Sequence, residues 1–106
     1  NEAKKILKIA AESGIDAVKF QIFNINKYES KNNLERFKRL KNFNLTDKDY
    51  LYLFKEARKL KINVLATPLT EDKVELAGRF GEVIKVASGD INFYPTIDKI
   101  IELKKK

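Results

Sequence analysis

The chain has 106 residues, an apolar share of 43% and a net charge of +7, which is room for one small globular domain. It contains no cysteine and no histidine, which excludes disulfides, thiolate metal sites and the usual general base at neutral pH. Any catalysis must therefore use lysine, carboxylates, hydroxyls and backbone amides. No apolar run approaches the length of a membrane span and no signal segment is visible, so we expect no membrane partner and a cytoplasmic location.

The positive charge leaves several kinds of anionic partner open. Basic chains bind nucleic acid, anionic surfaces or phosphorylated small molecules. The basic residues are mostly lysines spread along the chain with acids between them, and neither an arginine-rich cluster nor an aromatic–basic stacking pattern is present. We therefore expect no nucleic-acid partner.

Helical and extended patterns alternate along the chain. Apolar residues recur at helical spacing from Glu2 to Glu12, and Gly14 supplies a left-handed C-terminal residue. A strand is predicted over 17–23, followed over 24–44 by a long polar loop that is a candidate lid, with a short helix at 34–40. A helix is then predicted from the cap Thr46 to about Leu60, followed by a strand at 62–67 that Pro68 ends. The last predicted elements are a helix at 71–80 capped by Thr70, a strand within 83–90, and a helix starting at Pro95.

A lysine sits inside each of two apolar strands. Alternation in the first strand places Val18, Phe20 and Ile22 on one face and Lys19, Gln21 and Phe23 on the other. In the third, Lys85 follows Val83 and Ile84 and precedes a polar turn. A buried lysine is costly unless an anion meets it, which favours the mouth of a parallel sheet. The alternative is an edge strand whose lysine points to water.

The alternation of strands and helices predicts an α/β fold with a parallel sheet and right-handed crossovers. Three parallel strands alone are poorly covered, because such sheets bury both faces and need more strands. The simplest expectation is a partial (β/α)8 TIM barrel, about strands 2–4 with flanking helices, in which 1–106 is a fragment of a single catalytic domain. A small open α/β sheet that is complete as it stands is the alternative.

Polar side chains follow all three strands at their carboxyl ends. These ends converge on one side of a parallel sheet. Two lysines, an amide and two hydroxyls there would cradle a compound bearing both phosphate and carboxylate, and Asp90 adds an acceptor for a hydroxyl-rich partner. The cradle consists of Lys19, Gln21, Thr67, Lys85 and Ser88. A Schiff-base lysine is the competing interpretation, but it would need only one lysine.

Three blocks in these strands carry a family resemblance. The segments Val18-Lys19-Phe20-Gln21, Ala66-Thr67-Pro68 and Lys85-Val86-Ala87-Ser88-Gly89-Asp90 resemble, in order and spacing, those of the sialic acid (N-acetylneuraminate) synthase family, including its spore-coat polysaccharide synthase-like members. The third block is quite specific, whereas threonine-proline alone would be weak. The resemblance covers essentially the whole chain.

The resemblance implies a TIM-barrel enzyme that condenses phosphoenolpyruvate with an amino-sugar aldehyde to give a nine-carbon 2-keto sugar acid. It implies that Lys19, Gln21, Thr67, Lys85 and Ser88 surround phosphoenolpyruvate, and that Asp90 lies toward the sugar and metal-bound water. Lys85 and Asp90 are then the expected catalytic residues. A divalent metal, Mn or Mg, is expected in the complete enzyme, where it polarises the aldehyde. A homodimer is the expected assembly.

Several departures from the family pattern affect these expectations. The sequence begins after the family's first strand and stops after the fourth, so the metal-ligating histidines, which belong to later strands, are expected outside this chain. Asp90 stands where glutamate is common in the sialic acid enzymes, which leaves the sugar open. A non-catalytic α/β module that binds phosphorylated or acidic ligands, or a structural domain, is the alternative function.

Overall fold

The computed structural model describes residues 2–103, in which six α-helices and three strands alternate. The helices are α1 (Glu2–Glu12), α2 (Ile25–Tyr28), α3 (Leu34–Phe43), α4 (Asp47–Lys59), α5 (Val74–Phe80) and α6 (Tyr94–Glu102). The strands are β1 (Ala17–Ile22), β2 (Asn63–Pro68) and β3 (Val83–Ile84), and short 3₁₀ turns cover Glu71–Lys73 and Ser88–Asp90.

The three strands form one parallel sheet in the order β1-β2-β3. Val18 pairs with Val64 and Ala66 pairs with Ile84. The sequential order and the parallel pairing confirm the prediction of adjacent parallel strands joined by helical crossovers.

Helices α1, α4 and α5 cover one face of the sheet. The core contains Leu7 of α1, Phe54 of α4 and Ala77 of α5, packed with the β-residues Ile22, Val64 and Ala66. Phe54 lies at its centre, fully buried, with its ring centroid 5.5 Å from that of Phe20 and 5.6 Å from that of Phe80. The face of β1 that carries Val18, Phe20 and Ile22 therefore packs beneath the helices, and Lys19 and Gln21 are exposed on the opposite face.

Local sequence signals explain the helix ends. Thr46 forms a capping box with Asp49: the Asp49 backbone N–H donates to the Thr46 hydroxyl at 3.2 Å, and the Thr46 N–H donates to the Asp49 carboxylate at 2.9 Å. Gly14 has a φ of 75° after α1, as predicted. Such signals depend on a few neighbouring residues, which is why they could be found in the sequence.

Four predicted elements differ from those observed. The 24–44 segment is largely helical, with α3 extending to Phe43 rather than ending near residue 40. The strand β2 includes Pro68, and the Thr70 side chain makes no hydrogen bond to cap the 3₁₀ turn that precedes α5. The strand β3 is only two residues long, so Lys85 lies just beyond it. The length of a strand depends on the neighbouring strands with which it pairs, and the periodicity of one segment carries no information about those neighbours.

Candidate anion-binding site at the carboxyl edge

The sheet register brings three of the predicted site residues into one row. Gln21 on β1 pairs with Thr67 on β2. The backbone N–H of Lys85 donates to the carbonyl of Ala66 at 2.8 Å, and Ala66 pairs with Ile84, so Lys85 lies one residue past the last pair of β2 and β3, on the side of Thr67. Neighbouring strands lie about 4.8 Å apart, which spreads the row Gln21–Thr67–Lys85 over about 10 Å between the outer backbones.

Lys19 lies on the same face as this row, two residues earlier on β1, where it pairs with Leu65. Two strand spacings and two residue rises place its Cα about 12 Å from that of Lys85. Each ammonium is carried on a flexible four-carbon stem, so both can turn toward one small anion between them. The structure thus brings together the two lysines, the amide and the hydroxyl that the sequence predicted.

The two lysines are not buried as expected. Lys19 and Lys85 are both exposed, whereas Thr67 on the same face of the sheet is buried. Within residues 2–103 these lysines lie on or just beyond the outer strands of the sheet and are exposed, as the edge-strand alternative has it, and their burial around an anion stays a prediction. In this structure the lysine-bearing face is an open cationic surface.

Thr67 differs from its neighbours in the row. It is 1% exposed, and its hydroxyl oxygen has no hydrogen-bond partner within the described residues. A buried hydroxyl without a partner costs about 1–3 kcal/mol, so such groups are uncommon unless a ligand or water meets them. The Thr67 hydroxyl thus lies next to the end of β2 without a partner in the described residues, and its role in binding stays a prediction.

Ser88 and Asp90 lie in the 3₁₀ turn that follows Lys85. The Asp90 N–H donates to the carbonyl of Ala87 at 2.9 Å, which folds the turn back at the carboxyl edge. Ser88 is exposed and Asp90 is partly buried. Their placement at the end of the third strand agrees with the sequence prediction, whereas their roles stay predictions.

A hydrogen-bonded clamp that the sequence analysis missed joins the segments after β1 and β2. The Asn24 N–H donates to the Thr70 hydroxyl at 3.0 Å, and the Asn24 amide donates to the Asp72 carboxylate at 3.1 Å. Burial by itself would raise the pKa of Asp72, but hydrogen bonds from Asn24 and Thr70 and the charge of Lys27 together hold it below its usual value. An Asn directly after a strand is the one signal that could have indicated this turn.

Tyr50 of α4 ties a helix to the site from the other face of the sheet. Its hydroxyl donates to the carbonyl of Gln21 at 3.0 Å. Burial raises the pKa of Tyr50 to about 12, and the nearby charges of Asp47 and Asp49 act in the same direction while the Leu45 backbone N–H opposes them. Tyr50 therefore stays a neutral donor that fixes the end of β1.

Other features within residues 2–103 are less suitable as an anion-binding site than the row of Gln21, Thr67 and Lys85. A cavity of about 480 Å³ lies between the 3₁₀ turn at Glu71–Lys73 and α6, but the acids Glu71, Asp72, Glu75 and Glu102 line it, which does not suit an anion. No group of three or more histidines, cysteines or carboxylates in 2–103 could hold a metal ion. No helix within 2–103 is both long and apolar enough to cross a membrane.

The fold and the row define the class of protein: an α/β chain built as part of a (β/α)8 barrel, with cationic and polar side chains at the carboxyl edge of its strands. Comparison with protein families makes this specific, because the model of the NeuB family matches residues 6–106. The chain belongs to the NeuB family.

Curated relatives and a solved structure are similar over most of this chain. The chain is 33% identical to N,N'-diacetyllegionaminic acid synthase of Campylobacter jejuni, covering 100% of this chain and 36% of that protein. It is 32% identical to the synthase of the same name from Legionella pneumophila, covering 88% and 30%. The chain thus spans about a third of the length of these relatives.

A solved structure with a similar fold is the crystal structure of N-acetylneuraminic acid (sialic acid) synthetase from Leptospira borgpetersenii in complex with citrate. The two superpose with a TM-score of 0.86 at 24% identity, over 95% of this chain and 35% of that one. At this identity the likeness shows the fold, and it confirms the predicted partial barrel.

Proposed function

We propose that the complete protein condenses phosphoenolpyruvate with an N-acetylated amino-sugar aldehyde to give a nine-carbon 2-keto sugar acid for carbohydrate or surface polysaccharide biosynthesis. Membership of the NeuB family and similarity to two proteins named as legionaminic acid synthases support this proposal. The observation that carries it is the row of Gln21, Thr67 and Lys85, with Lys19 on the same face.

In this proposal the two lysines neutralise the phosphate and the carboxylate of phosphoenolpyruvate. A Lys ammonium binds such groups as a point charge, and two of them about 12 Å apart at the Cα atoms suit a small dianion or trianion. The Thr67 hydroxyl, which has no partner within the described residues, and the Gln21 amide supply directional hydrogen bonds. Ser88 completes the cradle from the turn after β3.

The proposed chemistry forms one carbon–carbon bond and releases phosphate. Carbon-3 of phosphoenolpyruvate attacks the aldehyde carbon, whose oxygen takes a proton and becomes a hydroxyl. Water adds at carbon-2, and inorganic phosphate leaves with its bridging oxygen to give the 2-keto acid. The role proposed for Asp90 is to bind the sugar and accept a proton from the attacking water.

A divalent metal would supply Lewis-acid polarisation of the aldehyde in such a reaction. The described residues of this chain contain no cluster of ligands for it, and the sequence contains neither histidine nor cysteine. The residues present therefore do not fit a complete metal site, and no step above depends on one. The expectation that Mn or Mg ligands come from other parts of the complete enzyme stays a prediction.

The experiment is a phosphate-release assay on the full-length protein with phosphoenolpyruvate and a panel of N-acetylated and N,N'-diacetylated amino sugars. We expect phosphate release that depends on the sugar, together with a 2-keto acid product identified by mass spectrometry. Phosphate release without the sugar would contradict condensation. Binding of phosphoenolpyruvate without any turnover across the panel would support the non-catalytic anion-binding module instead.

A further inference from the structure

The net positive charge of the chain lies in two segments, residues 24–46 and the three terminal lysines, although basic residues are spread along the whole sequence. Residues 24–46 contain six basic residues and two acidic ones, a net charge of +4 out of +7. The three lysines at 104–106 supply the remainder, since 13 basic and 13 acidic residues balance elsewhere. The basic residues of the segment are Lys27, Lys31, Arg36, Lys38, Arg39 and Lys41.

The charge of this segment faces solvent. Helix α3 has no buried residue, and four of the basic side chains form no ion pair with any residue in the part of the chain described. These four are Lys31, Lys38, Arg39 and Lys41, and all are exposed. Solvated cationic side chains on one helix act mainly through their long-range electric field, while Phe37 and Leu40 supply the partly buried side of α3.

Both ends of the segment are fixed at the carboxyl edge of the sheet. At one end Asn24 bonds to Thr70 and Asp72, directly after β2. At the other, Tyr50 in the second turn of α4 bonds to the last residues of β1 through the carbonyl of Gln21. Between them, the Arg36 guanidinium lies 2.8 Å from the Glu29 carboxylate, which ties α3 to the end of α2.

We propose that the positive charges of α3 steer anionic substrate electrostatically toward the row formed by Gln21, Thr67 and Lys85. The helix is about 15 Å long and leaves the same edge, so its charges act over distances comparable to the Debye length of about 10 Å at 0.1 M salt. A field of one sign at the rim of a binding face raises the local concentration of substrate and its association rate. The substrate assignment rests on the proposed function.

The test reverses two charges on α3 in the full-length protein, as Lys38→Glu with Arg39→Glu. Glutamate keeps helix propensity, and neither side chain makes an ion pair with a described residue. The matched control is Lys55→Glu with Lys61→Glu, which makes the same change of charge at exposed positions toward the opposite edge of the sheet.

At an ionic strength of about 20 mM we expect the α3 variant to lose about three- to tenfold in kcat/KM for phosphoenolpyruvate, with kcat and the melting temperature unchanged. At about 0.5 M salt the difference should shrink below about 1.5-fold, because screening removes the field. The control variant should lose less than about twofold at either salt concentration.

Calorimetric binding of phosphoenolpyruvate at the same two salt concentrations separates this inference from the proposed function. A salt-dependent loss of affinity for phosphoenolpyruvate in the α3 variant alone supports electrostatic steering by α3 even if no sugar is turned over. Three results would contradict steering by α3: an equal loss of affinity in both variants, a loss that persists at high salt, or no loss at low salt. None of them would contradict the proposed synthase reaction.

Discussion

Replacing Lys85 by methionine keeps most of the side-chain bulk and deletes the charge at one end of the row. Two unit charges about 4 Å apart interact by about 4 kcal/mol at an effective dielectric constant of about 20, which corresponds to about three orders of magnitude in rate. We therefore expect Lys85→Met to lower kcat/KM for phosphoenolpyruvate by about two to three orders of magnitude in the full-length protein. Lys85→Arg should restore little, because a planar guanidinium does not match a site shaped for an ammonium.

The stability of the Lys85→Met variant distinguishes a binding role of Lys85 from a structural one. Lys85 is exposed and just beyond β3, so its side chain contributes little to packing. The free energy of unfolding should change by less than about 0.5 kcal/mol. The assay is steady-state kinetics beside melting curves, with Lys61→Met as the control for loss of a surface charge. Near-normal turnover in Lys85→Met, or a marked loss of stability, would refute the anion-binding role.

Three further substitutions test other parts of the structure. Thr67→Val should stabilise the chain by about 1–2 kcal/mol in denaturant unfolding, because it removes a buried hydroxyl that has no partner within the described residues, while KM for phosphoenolpyruvate rises. Thr46→Ala should cost about 1 kcal/mol in the same measurement, because the capping box is lost. Tyr50 has a pKa raised to about 12 in the fold, so the stability it contributes is complete below about pH 10 and is lost as the pH rises toward 12. Unfolding measured from about pH 8 to 12 should show a weaker alkaline loss in Tyr50→Phe than in the parent chain, and identical curves would contradict the assignment.

Much of the fold could be predicted because its signals are local. The bounds of α1 and the two faces of β1 follow from periods of 3.6 and 2 in the sequence. The length of α3 was underestimated, because the apolar residues at its two ends, Leu34 and Phe43, face solvent and no buried residue marks where the helix stops.

The placement of the candidate site residues at one edge of the sheet was predicted, whereas their surroundings were not. Side chains at the ends of parallel strands must meet at one edge, and this placed Lys19, Gln21, Thr67 and Lys85 together. Their burial depends on which layers cover the sheet, a property of the tertiary arrangement that no strand pattern contains. The clamp between Asn24 and Asp72 joins residues 48 positions apart, and its polar side chains resemble those of any solvated loop.

The clamp at Asn24 has a consequence for how sequences of this kind diverge. Because Asn24, Thr70 and Asp72 are joined by hydrogen bonds, replacing any one removes a contact from at least one of the others, so the effects of substitutions at these positions should not be additive. Across many relatives these three positions should therefore covary, with coordinated replacements more frequent than single ones. For a protein engineer, the loops after β1 and β2 are a single exchangeable unit: grafting either alone from a relative should fail where grafting both succeeds.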